Sequence, residues 1–552
     1  MKKILFILLL TATVNLQAKQ SAGIATAHPM ATEAGERILA QGGNAFDAAV
    51  AISAALAVVE PYSSGIGGGG FWLLHRSRDG FQTMVDGREK APLKAHRDMY
   101  LDDRGDVVKG LSMNGALSAG IPGVPAALEH LSEKYGKLSL KKSLQPAIEY
   151  ARKGFKVDAH YQRMAGFRLE ALRASADAAK IFLRNNNVPE EGVLIKQPDL
   201  ANTLMAIAEK GAAGFYKGTV AQKLIQGTKK AGGIWSYEDF KKYNIVERKP
   251  VTSQFHKMKI TSAAPPSSGG IALAEIFNQL SYFSLNDLEQ AQSIHFIVEA
   301  MRRAYRDRAQ FLGDTDFVSV PASRLTDKNY AAGLVATIHP DKATPSKLLP
   351  GAVHENNSRD TTHFSVIDHE GNRVSATLSI NYPFGSCFVP PGTGVLLNDE
   401  MDDFSSKPGV PNAYGLVGAE ANAIAPGKRM LSSMSPTFLE TEDRLAVIGT
   451  PGGSRIITMV LLGSMRFYFG EEAQAIVDGP RFHHQYLPDV VFHEPAAFKE
   501  QVVNKLKNKQ HQLKKADSTW GNMQLVIWDK NKKEMSSASD KRGVGLAKII
   551  ED

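Results

Sequence analysis

Two short stretches of this chain carry residues suited to acyl transfer. Asp360-Thr361-Thr362-His363 puts a threonine at the start of a period-2 stretch, and Pro451-Gly452-Gly453 follows a run of β-branched and apolar residues. A threonine hydroxyl is a weak nucleophile unless a base sits beside it, and one way to supply that base is to free its own α-amino group by cutting the preceding peptide bond. The glycine pair after a strand is the other feature left for acyl transfer. A G-x-S-x-G elbow is absent. A threonine heading a strand is common and usually structural, so the two stretches do not by themselves name a reaction.

Other candidates read differently. Gly65–Gly70 matches the dinucleotide pattern G-x-G-x-x-G, but that pattern needs a strand before it and a helix after it. Here an alanine-rich helical stretch precedes and Phe71-Trp72-Leu73-Leu74 follows. These glycines therefore read as allowing close backbone packing or unusual dihedrals. His483 and His484 are adjacent on an extended segment, where neighbouring side chains point to opposite faces, and no cysteine or carboxylate with ligand spacing accompanies them. They read as structural, and no metal or cofactor is expected. Asp402-Asp403 is a carboxylate pair that fits either general acid/base work or a polar loop.

Around these residues, alanine-rich segments either side of Gly42-Gly43 predict two helices between residues 31 and 60. Phe71–His75 and Gln82–Asp86 predict strands. Periodicity predicts helices over 124–135, 144–153, 200–210, 221–231, 270–280 and 290–311. Near residue 350 the character changes. A polar stretch, 351–360, is followed by a hairpin in which Val374, Ala376, Leu378 and Ile380 alternate with Ser375, Thr377 and Ser379. Further on, a strand over 445–448, helices over 456–469 and 494–507, and a hairpin from Met523 past Asn531 are expected. No repeat and no Gly/Ser linker interrupts the chain, which reads as one intertwined α/β unit cut by a polar loop.

Bulk properties narrow the class. The 552 residues are 43% hydrophobic and 22% charged, an ordinary globular composition. The net charge of +8 could suggest nucleic acid, but acidic and basic residues are interspersed, as in Glu299–Arg308, which reads as a solvated surface. Met1-Lys2-Lys3, the apolar Ile4–Leu10 and the segment ending Leu16-Gln17-Ala18 have the regions of a secretory signal. The apolar run is far below the roughly 20 residues of a spanning helix. Export, to periplasm or medium, is expected over anchoring. The single cysteine, Cys387, allows no internal disulfide and reads as a small core residue.

The stretches Thr361–Asp368, Asn381–Ser386, Gly394–Ser405, Leu431–Thr437 and Gly449–Arg455 closely resemble the γ-glutamyltranspeptidases. So do Asp47–Ala51, Gly65–Gly70, Asp86–Glu89, Ala264–Gly270 and Arg481–Gln485, in order over nearly the whole chain. The resemblance implies a four-layer αββα sandwich of the N-terminal nucleophile hydrolase type. It also implies a precursor that cuts itself between Asp360 and Thr361 into a large subunit, 19–360, and a small catalytic subunit, 361–552, after loss of a signal over 1–18. Thr361 would be the nucleophile both of processing and of the reaction, with its α-amino group as base. Gly452 and Gly453 would form the oxyanion hole, and Ser379, where threonine is common, would support the nucleophile's hydroxyl. Arg88 would hold a glutamyl α-carboxylate with Ser432 and Ser433, and Asp403 the α-ammonium with Asn381 and Glu400. Tyr414, within 408–418, would belong to a lid over the pocket. The implied substrates are glutathione and related γ-glutamyl compounds, with water, amino acids or peptides as acceptors. A glutaryl acylase of the cephalosporin type and an inactive binding homologue are the alternatives.

Overall fold

The computed structural model describes residues 21–349, 361–407 and 418–551. The expected signal segment, the residue before the cleavage site, Asp360, and the lid residue Tyr414 lie outside them.

Two antiparallel sheets stack face to face. The first has seven strands, in the order Leu546–Ile550, Ala22–Thr26, Thr362–Ile367, Arg373–Ser379, Gly69–Arg76, Phe81–Asp86 and Val246–Arg248. The second has six: Glu534–Ser539, Gln524–Asp529, Arg444–Gly449, Thr437–Glu440, Met258–Ser262 and Val251–Phe255. Helices Pro29–Ala40 and Ala45–Val59 cover the outer face of the first sheet, and Gly269–Leu280 and Ile456–Tyr468 that of the second. The expected αββα sandwich is therefore the observed one. Both sheets take strands from either side of residue 360, and the strand that follows Thr361 lies in the middle of the first.

Local sequence explains the covering layer. Asn44 accepts from the backbone N–H of Phe46 and Asp47, while Asp47 accepts from that of Asn44, a capping box contributing about 1 kcal/mol. Every residue of Ala45–Val59 is buried, and its alanines let the helix lie close on the two central strands. Trp72, fully buried, donates its indole N–H to Ser53 and ties the next strand to the same helix.

The expected hairpin forms, and its second strand, Arg373–Ser379, is buried on both sides. Ser375 donates across the sandwich to Ile448 O and Ser365 to Gln524 O, and His363 sits against Gly449, where a Cβ would lie 2.2 Å from its ring. Glu299–Arg308 is not a solvated face: Glu299, Arg302, Arg303, Asp307 and Arg308 are all buried in helix Gln290–Phe311 and are paired with one another or with neighbouring elements. The helix expected from residue 494 starts at Glu500. Glu494 is instead a buried acceptor for the N–H groups of Arg481 and Trp520 and for Arg542.

Candidate active site

Thr361 precedes the central strand, buried, with its Oγ1 3.4 Å from the Ser379 hydroxyl on the neighbouring strand. The backbone N–H of Asn381 donates to Ser379 Oγ at 2.8 Å, which leaves the serine proton free to turn toward the threonine. Asn381 takes a left-handed φ of 75° and donates its amide to Asp399 O. Beside Thr361, Thr362 donates to Glu60 at 2.6 Å, and burial pushes the Glu60 carboxyl up to about 7.

Gly452 and Gly453 turn the chain from strand Arg444–Gly449 into helix Ile456–Tyr468. Their φ values, 139° and 56°, are open to glycine and strained for other residues, and a Cβ on Gly452 would meet Met459 at 2.5 Å. The Gly65–Gly70 run shows the other use of glycine. None of its φ values is left-handed, yet a Cβ on Gly67 or Gly68 would stand 2.2 Å from Leu396 O or Ser379 O. Of the two expected uses, the run serves close packing against the strand that carries Ser379.

A cavity of about 300 Å³ is lined by Thr361, Ser379, Asn381, Arg88, Glu400, Asp403, Ser432, Ser433 and Gly453, together with Arg308, Met434, Ser454 and Ile456. Nine residues singled out in the sequence thus meet around one space. Arg88 is its centre: the guanidinium stands 2.6 Å from Asp403, 2.7 Å from Glu400 and 3.5 Å from Glu89, and donates to Met430 O. Burial opposes its charge, but the three carboxylates outweigh burial and raise its pKa. Glu89 and Glu400 are shifted up as well, which for an acid disfavours the charged form. Burial, with Asp403 and Asp86 adding to it against Arg88, pushes Glu89 up to about 8, and burial and its acidic neighbours raise Glu400 well above the usual carboxylate range. Ser432 is positioned by a parallel bridge to Ser267, in which Ser432 N donates to Pro266 O and Ser268 N to Ser432 O. This bridge joins two of the sequence stretches, Ala264–Gly270 and Leu431–Thr437.

Arg308 is a wall residue the sequence reading missed. It donates to Ser268 and Ser433, and burial lowers its pKa to about 10. Its signal was present as a helical arginine one turn from Ala304 and Tyr305, both buried, but the surrounding charges concealed it. Glu60 was missed as well, since nothing in the sequence ties residue 60 to residue 362.

The remaining candidates separate. Asp402 accepts from Ser112, so the carboxylate pair splits, with Asp403 facing the cavity. His483 bonds to Thr458 and Gln485, and His484 to Asp489; both are buried, with pKa values lowered by burial. Cys387 is buried against Arg168. Among the described residues one trio, His295, Glu299 and His511, brings possible metal ligands together. Glu299 there is already engaged by Arg302 and Arg303, and the imidazoles hydrogen-bond each other at 2.8 Å.

Stacked antiparallel sheets between helical layers, with a threonine heading a central strand beside a left-handed glycine pair, define an N-terminal nucleophile hydrolase. Over residues 31–550 the chain matches the Gamma-glutamyltranspeptidase family profile, and it belongs to that family. It is 46% identical to a glutathione hydrolase proenzyme of Pseudomonas sp. (strain A14), over 84% of this chain and 82% of that one. To the glutathione hydrolase proenzyme of Escherichia coli (strain K12) it is 41% identical, over 96% and 91%. Among solved structures, a cephalosporin acylase from Bacillus halodurans superposes with a TM-score of 0.84 at 26% identity, covering 99% of each chain. A Helicobacter pylori gamma-glutamyltranspeptidase chain superposes with a TM-score of 0.58 at 43% identity, covering 60% of this chain and 96% of that one.

Proposed function

We propose that this protein is a self-processing γ-glutamyl hydrolase and transferase acting on glutathione and related compounds, with Thr361 as its nucleophile. The observation that carries the reading is the single cavity in which Thr361 faces Arg88 and Asp403. In the precursor, Thr361 Oγ attacks the carbonyl of Asp360, the acyl group moves from nitrogen to oxygen, and water cleaves the ester. This frees the α-amino group that serves as base in the later reaction. A γ-glutamyl donor then places its α-carboxylate on Arg88, with Ser432 and Ser433, and its α-ammonium on Asp403, Glu400 and Asn381. Thr361 attacks the side-chain amide carbon, the backbone N–H groups of Gly452 and Gly453 hold the oxyanion, and the amine leaves with a proton. Water or the amine of an amino acid or peptide resolves the ester. The large and small subunits, 19–360 and 361–552, stay together as a heterodimer through their shared sheets, and the signal over 1–18 directs export to periplasm or medium. Among the described residues no helix is long and apolar enough to cross a membrane.

The acylase reading uses the same nucleophile with a glutaryl group. A glutaryl group lacks the α-ammonium, so it would leave Asp403 and Glu400 without the cation this site is built to receive. Purified protein should show two bands on a denaturing gel, the smaller beginning Thr361-Thr362-His363, and should release aniline from a γ-glutamyl anilide far faster than from a glutaryl anilide. Thr361→Ala should remain one uncut, inactive chain. Fully processed protein that prefers the glutaryl compound would replace the transpeptidase reading with the acylase one.

A further inference from the structure

Thr361 lines a second cavity besides the one around Arg88. It is much larger, about 1640 Å³, and lies between helix Ala159–Phe167, the Pro451–Arg455 turn and residues 518–522. The glycine pair divides in the same way, with Gly453 lining the small cavity and Gly452 the large one. A tetrahedral carbon on Thr361 carries its acyl chain to one side and its amine to the other. With the glutamyl group filling the small cavity, the amine departs into the large one, and an acceptor amine arrives through it.

The lining indicates which amines. Three arginines, Arg163, Arg455 and Arg542, face one carboxylic acid, Glu60. Arg542 is held by Glu494 and Asp540. Arg163 is exposed and rests on the Nδ1 of His160 at 2.6 Å, a ring kept neutral because burial lowers its pKa to about 4. Four residues along the same helix face, Phe167 leaves 62% of its surface in water while leaning on Tyr382. Deeper in, the Arg455 guanidinium lies 4.5 Å from the Trp520 ring. A cationic rim beside an exposed aromatic ring is a surface for a carboxylate attached to an apolar group.

Building on the γ-glutamyl reading, we infer that the large cavity is the leaving-group and acceptor site, and that Arg163 and Phe167 make it select amines bearing a carboxylate and an apolar or aromatic side chain. Two donors that differ only by a carboxylate on the leaving aniline, γ-glutamyl-4-nitroanilide and γ-glutamyl-3-carboxy-4-nitroanilide, test this in the processed protein. The ratio of kcat/KM, anionic over neutral, is expected to exceed one, to fall in 0.5 M NaCl, and to drop by about threefold to fivefold in Arg163→Ala but much less in Arg163→Lys. Phe167→Ala is expected to lower transfer to phenylalanine relative to glycine. A ratio unmoved by salt and by Arg163→Ala would overturn the inference while leaving the γ-glutamyl reading in place. Release from neither donor by the processed wild type would overturn both.

Discussion

Among the described residues, two of the buried charge clusters differ in their balance. In helix Gln290–Phe311, Glu299 meets Arg302 and Arg303, and Arg302 reaches Asp489. Here cations match anions, and the guanidiniums overcome the effect of burial to draw Glu299 down to about 2. Around Arg88, three carboxylates surround one guanidinium, and Glu89 and Glu400 move the other way, with Glu89 at about 8. Among the described residues, neither Glu400 oxygen nor Glu89 Oε1 accepts a well-aligned hydrogen bond. A cluster that satisfies itself is scaffold. One that keeps surplus carboxylate beside a cavity is suited to receive a cation, and under the proposed function the α-ammonium of a glutamyl group would supply one.

Breaking each cluster should separate the two roles. The largest stability loss is expected from Glu299→Ala, which leaves buried Arg303 without a carboxylate and Arg302 with Asp489 alone; about 3–5 kcal/mol is expected in denaturant unfolding. Arg88→Lys should act on catalysis instead. It keeps the charge but loses the planar fork, and kcat/KM for a γ-glutamyl anilide should fall by roughly 100-fold, with unfolding changed far less. If Arg88→Lys unfolded the protein as Glu299→Ala does, the two clusters would be alike and the comparison would fail.

How far the sequence could show this depends on range. Helix 290–311 was readable because its signal is local, while the destination of its charges was not, since Asp489 and Thr344 are brought to it by the fold. Strands such as Met258–Ser262 and Thr437–Glu440 escaped because they are short, and the pairing that joins the two spans 175 residues or more. Thr361, Arg88 and Asp403 were legible as candidates through the family resemblance. That Arg88 and Asp403 form an ion pair, and that Arg308 completes the wall of the cavity, follows only from the fold.

The next effect is set by pH. Glu89 titrates at about 8 when folded, above its ordinary 4.5, so its contribution to stability is complete below pH 4.5 and is lost as pH rises through 8. Glu89→Gln should therefore flatten stability against pH between those limits, by up to a few kcal/mol at pH 9. An ammonium ligand favours the ionised acid, so KM for a neutral γ-glutamyl anilide should fall as pH rises from 6 toward 8. A KM that rises over that range would show that the surplus carboxylates are not the ammonium site.

The smallest effect is expected at Ser379. Its 3.4 Å approach to Thr361 is longer than a strong O–H···O bond, so in the proposed mechanism its hydroxyl would orient Thr361 more than activate it. Ser379→Ala should lower kcat by only about threefold to tenfold. It should also cost about 1–2 kcal/mol of stability, because the buried N–H of Asn381 loses its acceptor. Ser379→Thr keeps both hydrogen bonds, and the residue opposite it in register is Gly69, which presents no side chain to the added methyl. Activity close to the wild type in Ser379→Thr, with the deficit confined to Ser379→Ala, would place the role in the hydroxyl. Equal losses in both would place it in the packing of the strand against the Gly65–Gly70 run.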